Sequence, residues 1–129
     1  MKINSGREPG TTSELRTATF TGDVWADPVL APTDGVMVAN VFFTPGARTH
    51  WHTHERGQFL VVTSGEGRAR TRDGGGGKLT VGDVVWIPPG EEHWHGAAPG
   101  SYMLHTAISL GDADWLEPVT DEEYEEGWS

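Results

Sequence analysis

Six histidines sit in three short stretches between His50 and His105, and no others occur in the 129-residue chain. The densest stretch reads Thr49-His50-Trp51-His52-Thr53-His54-Glu55-Arg56-Gly57-Gln58. In an extended strand alternate side chains share a face, so His50, His52 and His54 project together, ~6–7 Å apart per step. Imidazoles at that spacing converge on one ion through metal–nitrogen bonds of ~2.1 Å. Gln58 offers a carbonyl oxygen after the short Glu55-Arg56-Gly57 turn. A second alternation, His93-Trp94-His95, puts His93 and His95 on a common face. A lone histidine is ordinarily a surface residue or a satisfied core group. Clustered inward-pointing imidazoles with nothing to bind are costly, so the pattern points to a metal centre. Without thiolates, imidazole and carbonyl donors suit Mn, Fe, Co, Ni or Zn, one divalent ion per chain.

Short strands are the elements that must carry these residues. Eighteen glycines and eight prolines, about one residue in five, disfavour long helices. Apolar, β-branched and aromatic stretches recur at 36–43, 58–63, 67–72, 78–81, 84–87, 93–96 and 102–110, bounded by turn residues. Such a pattern predicts an all-β sandwich or barrel. A hairpin centred on Gly100 would pair residues whose numbers sum to 200, setting His95 opposite His105 and His93 opposite Ala107. Small Ala107 then leaves room beside His105. Arg68, Arg70 and Arg72 share one strand face and read as a solvated outer surface rather than an anion site. Thr120 and Glu123 have capping-box spacing for a helix over about 120–126, ending near Gly127. The organisation is an N-terminal arm (1–17), a barrel (18–111) and an acidic C-terminal segment (112–129) within the same domain.

Composition excludes several functions. The chain has no cysteine, which removes disulfides, thiolate catalysis and Cys-type metal sites. The net charge of −10 argues against nucleic acid and anionic lipid as partners. Eight of the acids lie between Asp112 and Glu126 without a Lys or Arg among them, so the rest of the chain is near neutral at −2. No apolar run approaches the ~18 residues of a membrane span, and no signal-peptide pattern opens the chain, so a cytoplasmic protein with a small-molecule substrate is the expectation.

Two motifs carry a family resemblance. The pattern G-x5-H-x-H-x3-E-x6-G is matched by Gly46, His52, His54, Gln58 and Gly65, and G-x5-P-x-G-x2-H by Gly82, Pro88, Gly90 and His93. Over about residues 36–110 the chain resembles the cupins. That resemblance implies a double-stranded β-helix, a small jelly-roll-like barrel, with His52, His54, Gln58 and His93 as metal ligands. Gln58 departs from the glutamate usual at its position. The stretches 45–54, 82–99 and 119–124 look like the small bacterial manganese cupins with (R)-selective hydroxynitrile lyase activity. This resemblance implies Mn(II), catalytic roles for His95 and His105, and a homodimer or homotetramer built with edge strands and the N-terminal arm. His50 departs from that group, where a small residue precedes the tryptophan, and an imidazole there would alter the pocket mouth.

Three imidazoles and an amide leave the charge of a bound divalent ion uncompensated, which favours a bound anion. His95 and His105 are the candidate proton carriers. Val41, Phe43, Trp94 and Met103 are the apolar neighbours expected to accept an aromatic aldehyde. The reaction this implies is cleavage or formation of aromatic cyanohydrins. Competing readings are a metal-dependent dioxygenase, an isomerase or decarboxylase acting through an enolate, and a metal-dependent binding module without turnover.

Overall fold

Glycine and proline cut the chain into short strands, and the alternation of side chains then decides which face each strand buries. A computed structural model describes residues 1–126. Among the described residues the chain forms thirteen strands and one helix. The strands are β1 (Glu14–Arg16), β2 (Phe20–Thr21), β3 (Val24–Thr33), β4 (Val36–Phe43), β5 (Arg48–Thr49), β6 (His52–His54), β7 (Gln58–Gly65), β8 (Gly67–Thr71), β9 (Gly76–Leu79), β10 (Val84–Ile87), β11 (His93–Ala97), β12 (Met103–Leu110) and β13 (Ala113–Trp115). The helix is α1 (Asp121–Glu126). None of this is a helix long and apolar enough to cross a membrane.

Two antiparallel sheets face each other. One has the order β1-β3-β4-β12-β7-β10. In the other, β11 pairs with β8 on one side and with β5 and β6 on the other, while β13 extends β6 and β2 extends β5. Val24, Val41, Phe43, Val62 and Met103 of the first sheet meet Ala69, Leu79 and Ala97 of the second in one buried cluster. That cluster closes the sandwich as a jelly-roll-like barrel.

β3 was not foreseen, because Pro28 and Pro32 interrupt it. Its ladder with β4 shifts register at both places. The N-terminal arm pairs with the backbone of this irregular stretch. Glu8 donates its backbone N–H to the Pro28 carbonyl and accepts from Ala31 N–H at its carboxylate, and Asn4 donates to the Val29 carbonyl. Gly76 and Gly77, outside the apolar stretches, extend β9 and pair with Arg70 and Ala69.

Both faces of β11 are buried. The outer face is covered by the C-terminal segment, where Trp51, Trp94, Val119 and Tyr124 pack together. Thr120 and Glu123 form the expected capping box: Thr120 Oγ1 accepts from Glu123 N–H, and the Glu123 carboxylate accepts from Thr120 N–H. The expected stop at Gly127 lies outside the described residues. Buried Arg48 secures the segment by donating to the Val119 carbonyl and the Asp121 carboxylate, with its guanidinium 4.6 Å from the Tyr124 ring centre. Arg72 faces outward over the Trp51 ring and pairs with Glu92 and Glu117, so this arginine belongs to a surface network.

Candidate metal centre and catalytic pair

Adjacent strands bring the histidines together. His52 of β6 and His93 of β11 are direct cross-strand partners, and their ring centroids lie 4.2 Å apart. His54, one alternation further along β6, is 5.0 Å from His52 and 5.6 Å from His93 by the same measure. Gln58 comes from the opposite sheet, through a turn that needs Gly57. Its φ is +97°, and a Cβ there would stand 2.7 Å from the Ile87 carbonyl and collide with Trp86. The chain therefore swings from β6 to β7 and delivers the Gln58 oxygen to 3.3 Å from His93 Nε2.

Hydrogen bonds fix which nitrogens face the site. His52 Nδ1 donates to the His50 carbonyl and His93 Nδ1 to the Glu91 carbonyl, each at 2.9 Å, which leaves both Nε2 atoms with lone pairs. His93 Nε2 and the Gln58 oxygen are thus two acceptors facing one another. Neither ring nitrogen of buried His54 has a hydrogen-bond partner. Facing acceptors and orphaned buried nitrogens are the arrangement a cation resolves, and the set fits a divalent ion. Protonation is a poor substitute. Burial is the first cause of depression throughout, pushing His54 and His93 down to about 4 and His52 well below the ordinary imidazole value. The ligand-type nitrogens of His52, His93 and His95 all lie within 4.8 Å of one another, a three-histidine set that could hold a metal and that includes His95 but not His54.

His95 and His105 form a pair, His105 Nε2 to His95 Nδ1, at 3.0 Å. Both are buried, and burial first of all holds both below the ordinary imidazole value, His105 at about 4. Phe43 closes one side, with ring centroids 5.9 Å from His95 and 5.2 Å from His105. A cavity of about 680 Å³ leads to this centre, lined on its apolar side by Ala39, Val41, Ala107, Phe20 and Trp115.

Residues 40–106, more than half of the chain, match the cupin domain family. The chain is a cupin. It is 52% identical over 111 residues to an (R)-mandelonitrile lyase from Granulicella tundricola, covering 81% of this chain and 85% of that protein. A cupin-like protein from Thermotoga maritima superposes with a TM-score of 0.86 at 41% identity, covering 93% of this chain and 96% of the other. A polyketide cyclase from Streptomyces resistomycificus shares the fold at 19% identity, with a TM-score of 0.73 and coverage of 97% and 91%.

Within this cupin several expected positions move. β11 and β12 do not form a hairpin: β12 pairs with β4 and β7, and β11 with β8, β5 and β6. His95 meets His105 because the two sheets face each other, so their contact crosses the barrel, and Ala107 is not a strand partner of His93. Trp94 turns to the opposite face of β11 and serves the cluster beneath the C-terminal segment. Met103 points inward but packs in the closed end of the barrel, and Phe43 walls the histidine pair without lining the cavity. His50 does not share the face of His52 and His54, because β5 ends at Thr49 and the chain bends at Trp51 before β6 begins. Its contribution is the backbone carbonyl that orients His52.

Three site residues were missed. Thr49 accepts the His95 backbone N–H at 3.3 Å. Trp115 stacks on His52 at 4.4 Å and 22°, placed there by the pairing of β13 with β6. Ser109 bonds Gln58, and its signal was available: Met103, His105, Ala107 and Ser109 alternate on one strand and are all buried.

Proposed function

We propose that this cupin is a metal-dependent carbon–carbon lyase that splits aromatic (R)-cyanohydrins into aldehyde and cyanide and joins them in the reverse direction. The observation that carries the reading is the His95–His105 pair: two buried imidazoles 3.0 Å apart, beside a cluster of metal-type nitrogens, at the end of an apolar cavity. The 52% identity to an (R)-mandelonitrile lyase supports the same chemistry and hand.

His52, His54, Gln58 and His93 would hold one divalent ion, which we take to be Mn(II), although the donors also suit Fe(II), Co(II), Ni(II) and Zn(II). When bound, the ion supplies a Lewis acid that lowers the pKa of the substrate hydroxyl.

The protein's own groups handle the protons. His95 Nε2 is buried without a partner and accepts the hydroxyl proton. For that nitrogen to carry a lone pair, His95 Nδ1 bears the proton of the internal bond and donates to His105 Nε2, so His105 bears its own proton on Nδ1. As the carbon–carbon bond breaks, its electron pair leaves with cyanide and the oxygen becomes the aldehyde carbonyl. The proton collected by the pair then passes to cyanide, giving hydrogen cyanide and a neutral pair. Ala39, Val41 and Ala107 are small and apolar, and leave space for an aryl ring.

The test is metal analysis of the purified protein followed by mandelonitrile cleavage after Mn(II) loading, with chiral chromatography of the product made in reverse. Metal-dependent benzaldehyde release is expected, along with variants His95→Ala and His105→Ala that keep the metal and lose a hundredfold or more in rate, on the order of a general acid–base contribution. A metal-loaded wild type that releases no benzaldehyde above buffer overturns the lyase reading. A His95→Ala variant that loses the metal assigns His95 to the ligand set instead.

A further inference from the structure

We propose that Ser109 is a positioning residue that holds the Gln58 amide with its oxygen turned toward the histidine cluster. The inference rests on the metal-centre reading above. Gln58 and Ser109 are direct cross-strand partners in the ladder of β7 and β12, so their backbones are fixed relative to each other. Both side chains are buried. Gln58 Nε2 donates to Ser109 Oγ at 3.0 Å, while the other end of the amide, Oε1, stands 3.3 Å from His93 Nε2.

A carboxamide is nearly symmetric in shape and opposite in chemistry at its two ends. Only the oxygen end can ligate a cation. His93 by itself favours the wrong end, because its Nδ1 is committed to the Glu91 carbonyl and its Nε2 lone pair would welcome the amide N–H. An oxygen facing the cluster therefore leaves an N–H pointing away from it, on a side chain that is almost fully buried. Ser109 Oγ is the acceptor that takes up that N–H. Without it the ligating orientation carries a buried, unpaired donor, which proteins tolerate less than an under-used carbonyl. The inverted amide meanwhile keeps a bond to His93. A glutamate at position 58 would have oxygens at both ends and need no such partner, so the serine is tied to the choice of glutamine.

The experiment compares wild type with Ser109→Ala and Ser109→Thr. Mn(II) affinity is measured by chelator competition, and the side-chain amide resonances of Gln58 are followed by nitrogen-15 NMR in the metal-free protein. Melting of the metal-free variants confirms that they fold. Ser109→Ala should weaken Mn(II) binding by about 10–100-fold, the usual effect of removing a group that orients a ligand. It should also speed exchange of the Gln58 amide protons. Ser109→Thr, which keeps the hydroxyl, should restore affinity to within about threefold of wild type. Wild-type affinity in folded Ser109→Ala, or unchanged Gln58 resonances, overturns this role and leaves the metal reading intact. A wild type that takes up no divalent ion overturns both.

Discussion

Lowering the pH from about 7.5 to 5 should unfold the metal-free protein, and the buried imidazoles set the size of the effect. His54, His93 and His105 are each held at about 4, with burial the first cause in every case. In an unfolded chain the same groups titrate near 6.5. Above that value both states are neutral and the histidines contribute no pH dependence. Below it the unfolded chain binds protons that the folded chain refuses, so stability falls with pH. At about pH 5 each group costs about 2 kcal/mol, and three acting independently about 6 kcal/mol. The loss levels off as pH passes through the folded value near 4. His52 and His95, held lower still, act in the same direction. The total is comparable with the whole stability of an ordinary domain, about 5–15 kcal/mol. Glu8 and Glu117 titrate below their ordinary value, so these two carboxylates do not explain a loss in this window. The assay is urea denaturation of chelator-treated protein at several pH values, read by tryptophan fluorescence. The midpoint should fall steeply between pH 7 and 5, and His54→Gln should recover one group's share of the loss, about 2 kcal/mol. A midpoint that stays constant over that range would refute the claim that these rings are neutral and desolvated. Saturating divalent ion should raise the midpoint at pH 7, the unfolding free energy growing by about 2.7 kcal/mol at a hundredfold excess over Kd.

Three further outcomes are expected. Gly57→Ala forces a side chain into a left-handed backbone, 2.7 Å from the Ile87 carbonyl, so it should destabilise the fold by more than ~1 kcal/mol and lower metal uptake, read by melting and metal analysis. Tyr124→Phe deletes the hydroxyl bond to the Ala97 carbonyl, 2.6 Å long and two residues from His95. It should cost about 1 kcal/mol and lower Tm by about 4 °C, with KM unchanged. The outer face of the six-stranded sheet presents Trp25, Val84 and Trp86 at 43%, 63% and 47% exposure, with the Phe59 ring tilted against Trp86 at 4.7 Å. A sheet face turned to water is ordinarily polar, so a second copy of the chain should cover this one. Light scattering should report a dimer or larger, Trp86→Arg should shift it toward monomer, and a monomeric wild type at micromolar concentration would refute the inference.

Strand position was legible wherever alternation alone decides it. β4 and β10 begin and end where their apolar runs do, and His52 and His54 share a face because a single residue separates them. The helix cap was legible because Thr120 and Glu123 satisfy each other locally. Where a long-range partner decides, the sequence is silent. Two prolines hide β3, whose own Val29 carbonyl and Ala31 N–H are paired by Asn4 and Glu8, more than twenty residues upstream. Trp115 reaches His52 only through the pairing of β13 with β6. The contact between His95 and His105 was anticipated from a hairpin that does not exist. Parity along each strand turns both rings inward, and the facing of the two sheets does the rest. Trp94 obeys the same parity in the opposite sense, which removes it from the pocket.

The placement of charge follows from this geometry. The chain carries −10, yet the residues that converge on the proposed centre are all neutral imidazoles and an amide. Its carboxylates stand further out, with Glu8, Glu14, Glu55 and Asp112 along the cavity against Arg16 and Arg56. Arg16 is paired with Glu14, and Arg56 donates to the Gly35 carbonyl. A passage with more acids than bases draws cations in and discourages free anions from crossing it. On the proposed reaction, aldehyde and cyanohydrin pass as neutral molecules and cyanide does not. Cyanide therefore has to be protonated inside before it leaves. That requirement gives the buried His95–His105 pair a second task beyond taking the hydroxyl proton, because returning the same proton to cyanide converts the product into a species the acidic passage does not repel.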